Sequence, residues 1–96
     1  MRNRYLVAYD IRDSDRLKSI HQKMIGFGEP IQYSVLICDL SPGELITMKM
    51  KLLELINLNE DSLIVVDLGV SKGSGAKKID CIGKPLELPE RRPCVF

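Results

Sequence analysis

The sequence predicts a single α/β (α+β) sandwich, with an antiparallel sheet and two helices on one of its faces. Three observations predict it. Strand-like runs alternate with helix-period runs along the chain. The first run, residues 4–11 (RYLVAYDI), is apolar to both sides until Asp10, the pattern of a central strand. No internal repeat or second composition zone interrupts the 96 residues, so residues 1–96 are expected to form one domain.

Along the first strand Leu6 and Ala8 point to one side, and Tyr5, Val7 and Tyr9 to the other. Asp10 stands where the strand emerges into a charged loop, a common place for chemistry on a rigid scaffold. Asp13 and Asp15 flank a helix start, where the helix dipole favours acids. Leu17, Ile20 and Met24 then form one apolar stripe, and Gly26 and Gly28 stop the helix. Residues 31–40 (IQYSVLICDL) read as a second strand. Ile31, Tyr33, Val35 and Ile37 make a wholly apolar face, and Gln32, Ser34, Leu36 and Cys38 a mixed one.

The second helix opens on Ser41-Pro42-Gly43-Glu44, a capping box with proline at the first helical position. Leu45, Met48, Leu52, Leu55 and Ile56 form its stripe, widened by Ile46, Met50 and Leu53. So wide an apolar surface calls for more than one neighbour. A third strand is expected over residues 62–68, a basic loop over 69–78 (GVSKGSGAKK) and a short fourth strand over 79–83. The tail, residues 84–96, carries Pro85, Pro89 and Pro93 and reads as extended. The order is β-α-β-α-β-β plus a tail, or β-α-β-β-α-β if the second strand is split. Two helices and an antiparallel-leaning sheet point to the ferredoxin-like arrangement.

Composition excludes several classes. The net charge of +1 gives no overall attraction to nucleic acid, so only a local basic patch would bind it. The cysteines Cys38, Cys81 and Cys94 are odd in number and lack a CxxC spacing, which argues against a disulfide scaffold or zinc site and fits a cytoplasmic protein. No signal-peptide pattern or membrane-spanning apolar run is expected. The basic loop misses the GxxxxGK[ST] spacing of a phosphate loop.

One face of the sheet remains to be covered, because two helices cover only the other. A homodimer is the simplest answer. The C-terminal Val95-Phe96 fits it, since the extended tail then packs on the dimer partner or adds a strand to a sheet edge.

YDI at the end of the first strand, an arginine-bearing helix ending in GFG, PIQYSVLICDL and the capped helix SPGEL together resemble the CRISPR-associated small adaptation endonuclease family. That family is the ferredoxin-like partner of the spacer-integration complex. The resemblance runs from about Arg4 to about Leu68 and is strongest in YDI and QYSV at this spacing. Leu36 departs from a common family form with phenylalanine after QYSV. The resemblance implies a homodimer whose sheets face each other and a CRISPR integrase partner protein. It also implies an aspartate at the end of the first strand, here Asp10, that holds Mg²⁺ (or Mn²⁺) together with its twin.

One carboxylate per chain is few for Mg²⁺, and two chains supply two. A metal so held activates water for attack on a phosphodiester of RNA or DNA. Asp10 is thus the candidate catalytic residue and metal ligand, with Tyr9 and Ser34 in support. Arg12 and Arg16 read either as solvated charges at the helix start or as partners of Asp10 or of a phosphate. Lys72, Lys77 and Lys78 are candidates for contact with the nucleic-acid backbone. His21 reads as a packing or surface residue, and Asp39 and Asp67 as strand-end acids. The rival function is a non-catalytic dimeric adaptor that binds DNA and bridges integrase subunits, with Asp10 idle.

Overall fold

Six elements follow in the order β1 (Asn3–Asp10), α1 (Ser14–Ile25), β2 (Glu29–Gln32), β3 (Val35–Leu40), α2 (Pro42–Leu55) and β4 (Ser62–Val70). The structure is a computed structural model that describes residues 1–71 together with Ile82 and Gly83. The strands form one sheet in the order β2-β3-β1-β4, and every neighbouring pair is antiparallel. This is the ferredoxin-like β-α-β-β-α-β arrangement. As expected, β1 is central, with β3 on one side and β4 on the other.

The expected strand over residues 31–40 is instead a hairpin. Tyr33 and Ser34 turn the chain, and β2 pairs back on β3 from Gln32 opposite Val35. The turn resets the side-chain alternation. Leu36 therefore lies opposite Val7 and Cys38 opposite Tyr5, on the same side of the sheet as the buried residues of β1. The mixed face, not the wholly apolar one, packs on the helices. Pro30 is tolerated because β2 is an edge strand with an irregular register at that point. The strand expected over residues 62–68 runs on to Val70. It does so through an irregularity where Gly69 adopts a φ of 95°, with its N–H donating to Asp67. The fourth strand expected over 79–83 and the tail over 84–96 lie outside the described residues, except that Ile82 and Gly83 are not in a strand.

The core lies between the sheet and the two helices. Tyr5, Val7 and Tyr9 of β1 meet Leu36, Cys38 and Leu40 of β3, Ile20 and Met24 of α1, and Met48 and Leu52 of α2. Both helices start where the sequence predicts. Asp13 caps α1 by accepting from the Arg16 N–H. Ser41 and Glu44 complete the reciprocal capping box of α2. Leu36 is fully buried, so this position has no surface from which to stack on a ligand.

The opposite sheet face carries Leu6 and Ala8, flanked across β4 by Val66 (42% exposed) and Ile64 (60% exposed). These apolar residues sit side by side, and among the described residues no helix lies over them. Among the described residues, no helix is long and apolar enough to cross a membrane.

The two glycines that end α1 differ. Gly26 has an ordinary helical φ of −69°. Gly28 passes against β3, where an added methyl would lie 2.5 Å from the Ile37 carbonyl oxygen and collide with the Cys38 sulfur. Gly28→Ala is therefore expected to destabilise the fold by about 1–3 kcal/mol in urea unfolding. Gly26→Ala should change it by less than about 1 kcal/mol. Equal effects at the two positions would contradict this packing.

Candidate metal and nucleic-acid site

Asp10 is the last residue of β1, opposite Ser62 of β4. Alternation along β1 places it on the same side as Leu6 and Ala8, the face that the helices leave uncovered. Its side chain is 64% exposed, and Arg12 Nη2 lies 3.5 Å from Oδ2. An exposed pair of this kind contributes little to stability and leaves the carboxylate open to a competing cation.

The loop that follows Asp10 is held by a buried carboxylate. Asp61, whose side chain has no solvent exposure, accepts from the backbone N–H groups of Arg12 and Asn57, each at 2.9 Å. It also accepts from Arg16 Nε at 2.8 Å and Nη2 at 3.1 Å. The Arg16 hydrogen bond, against the opposing effect of burial, holds the Asp61 carboxyl well below the usual carboxylate range. The same contact raises the Arg16 guanidinium further, and Glu60 adds a bond at 2.9 Å. The two arginines therefore part company. Arg12 stands exposed beside Asp10, whereas Arg16 is engaged by Asp61 and Glu60.

Tyr9 points to the helix side, where its hydroxyl and Nδ1 of His21 share a hydrogen bond of 2.8 Å. Burial pushes the Tyr9 hydroxyl pKa up, and Tyr33 adds to the shift. Ser34 lies in the hairpin turn rather than mid-strand, and its carbonyl accepts from the Tyr9 N–H at 3.0 Å. Tyr9, Asp10, Arg12 and Ser34 thus share one end of the sheet. Lys72, Lys77 and Lys78 lie outside the described residues.

Two features escape the sequence reading. Nothing in NLNEDS marks Asp61 as buried, because its partners are distant in the chain. The other is a cleft of ≈ 290 Å³ between α1 and the hairpin, lined by residues that include Tyr9, Lys18, His21 and Tyr33. A hint of it was present in Tyr33, a large ring in the middle of a segment too long for a single average strand.

Among the described residues, no three or more His, Cys, Asp or Glu side chains converge to hold a metal ion. Asp10 is a hard oxygen donor suited to Mg²⁺ or Mn²⁺, which take one or two carboxylates with water and phosphate. Among the described residues, Asp10 offers one such carboxylate.

The sequence matches the family described as CRISPR associated protein Cas2 over residues 2–73. It is 34% identical over 92 residues to the CRISPR-associated endoribonuclease Cas2 1 of Rhodospirillum rubrum, covering 96% of this chain and 89% of that protein. The fold matches the crystal structure of a hypothetical protein from Thermus thermophilus with a TM-score of 0.78 and 27% identity, over 94% of this chain and all of the other. It matches Streptococcus pyogenes Cas2 with a TM-score of 0.72 and 26% identity, over 83% of this chain and 99% of the other.

The buried pair at Asp61 makes an acid prediction. The carboxyl titrates at an ordinary 3.8 when free of the fold and well below that within it. Its stabilisation is full above about pH 4 and is lost as the pH falls through the folded value. The melting temperature of the parent should therefore fall steeply from pH 4 downward. Asp61→Asn should melt lower at neutral pH but lose less on acidification. Parallel acid profiles of the two proteins would contradict the assignment.

Proposed function

Because this chain belongs to the Cas2 family of CRISPR-associated proteins, we propose that it is an adaptation endonuclease, metal-dependent and active as a homodimer on phosphodiesters of RNA or DNA. It works in the cytoplasm with a CRISPR integrase partner protein. The observation that carries this reading is the position of Asp10. It is an exposed carboxylate at the end of the central strand, on the face away from the two helices, which it shares with the exposed apolar residues Ile64 and Val66. A second copy laid over Leu6, Ala8, Ile64 and Val66 hides that patch and brings a second Asp10 to the first.

Two Asp10 side chains, one from each chain, would then hold Mg²⁺ or Mn²⁺. When bound, the cation supplies Lewis acidity to the phosphoryl oxygen and lowers the pKa of water. The remaining work falls to side chains. Arg12 neutralises Asp10 in the free protein and meets the incoming phosphate. Lys72, Lys77 and Lys78 supply cations for the flanking backbone, which positions the strand without reading its sequence. Asp61 holds the loop that carries Arg12. The endoribonuclease name of the Rhodospirillum rubrum relative supports RNA as one substrate.

Asp10→Asn removes the charge and keeps the shape. Cleavage of RNA or DNA in Mg²⁺ or Mn²⁺ should fall by orders of magnitude, because the variant homodimer loses both carboxylates at once. Thermal melting and sedimentation should remain those of the parent. Full cleavage by the folded variant would exclude the metal role.

The dimer face makes a separate prediction. A double substitution, Ile64→Glu with Val66→Glu, puts like charges against each other across a two-fold interface. It should shift the protein to monomer in sedimentation and abolish cleavage while Asp10 is intact. A monodisperse dimer after that change would place the interface elsewhere.

A further inference from the structure

The cleft between α1 and the β2–β3 hairpin lies outside the proposed metal site, yet it opens at the same end of the sheet. The Tyr9 N–H bond to Ser34 fixes the hairpin turn beside the last residues of β1. Tyr33, next to Ser34 in that turn, is 79% exposed and borders the cleft. A single exposed aromatic needs no explanation. This one lines a cavity together with Lys18, Gln32 and His21, with Leu17 and Pro30 as apolar lining. His21 is held by the buried Tyr9 hydroxyl through Nδ1, which leaves Nε2 as the ring nitrogen for a ligand.

We propose that this cleft takes one unpaired nucleobase of the substrate strand, stacked on Tyr33. The proposal rests on the nuclease reading only for the identity of the strand. An aromatic face with a nearby cation is the usual platform for an unpaired base and its phosphate. Tyr33 supplies the face and Lys18 the cation. Gln32 and His21 supply donors and acceptors for the base edge. The volume of ≈ 290 Å³ is at the small end for ligand cavities, which suits one base rather than a longer segment. A base within a duplex is stacked and paired and cannot enter without being extruded.

The test measures binding without turnover. The full-length Asp10→Asn chain is titrated in EDTA with a labelled oligouridylate and, separately, with a blunt RNA duplex. His21 is the single histidine, so its imidazole protons report on the cleft unambiguously by NMR. The oligouridylate should shift those signals. Adding Tyr33→Ala should weaken oligouridylate binding about tenfold and leave duplex binding unchanged. Tyr33→Phe should restore binding, because the ring rather than the hydroxyl does the stacking. The exposure of Tyr33 means that both variants should melt like their background.

Unchanged single-strand affinity in Tyr33→Ala, an equal loss for strand and duplex, or unmoved His21 signals at saturation would each overturn the proposal. Cleavage by the parent is measured separately. A parent that cleaves nothing but shows the Tyr33 dependence loses the nuclease reading and keeps the cleft. A parent that cleaves without the Tyr33 dependence loses the cleft alone.

Discussion

Asp61 brings together three segments at the end of the sheet where the candidate functional groups stand. It joins the loop after β1 through the Arg12 N–H, the segment after α2 through the Asn57 N–H, and α1 through the Arg16 guanidinium. A carboxylate without access to water is tolerated only when hydrogen bonds replace its hydration. Here both oxygens are used, and Arg16 is held in turn by Glu60. The loop leaving Asp10 is therefore fixed by a charged contact that would be costly to break, while the partner of Asp10 among the described residues, Arg12, is itself exposed. Rigid support beneath an open carboxylate is what a ligand site requires.

The other end of the sheet is closed in a different way. Arg4 makes a two-bond contact with Asp39, and the Ser71 hydroxyl also donates to Asp39. Arg2 reaches Glu44 in the capping box of α2. These contacts tie β1, β3 and the start of α2 together at the end of the sheet away from Asp10. Between the two polar ends lies the apolar middle of the sheet face away from the helices. Polar groups thus stand at both ends of this face, with Leu6, Ala8, Ile64 and Val66 between them.

Much of this was legible in the sequence, for physical reasons specific to each element. The α2 start announced itself because capping chemistry is local: Ser41, Pro42 and Glu44 act within one turn. The centrality of β1 followed from its two apolar sides, and Asp10 from the abrupt polarity at its end. A split second strand was one of the two orders the sequence left open, but its turn could not be placed because Tyr33 and Ser34 carry none of the usual glycine, asparagine or proline signals. The alternation of IQYSVLICDL therefore read as one continuous strand, with a single pair of faces that the turn interrupts. Arg16 and Asp61 were missed as a pair because they are 45 residues apart, and both look like ordinary loop and helix charges. The Tyr9–His21 contact escaped for a similar reason, since a strand residue and a helix residue meet only through packing.

The central claim is that one chain carries half a metal site and two chains complete it. The most direct measurement is the stoichiometry of Mn²⁺ bound to the intact protein, by native mass spectrometry or by the loss of the free-ion paramagnetic signal. The account predicts one tightly held Mn²⁺ for every two chains, absent from Asp10→Asn. One ion per chain, or binding indifferent to Asp10→Asn, would contradict it.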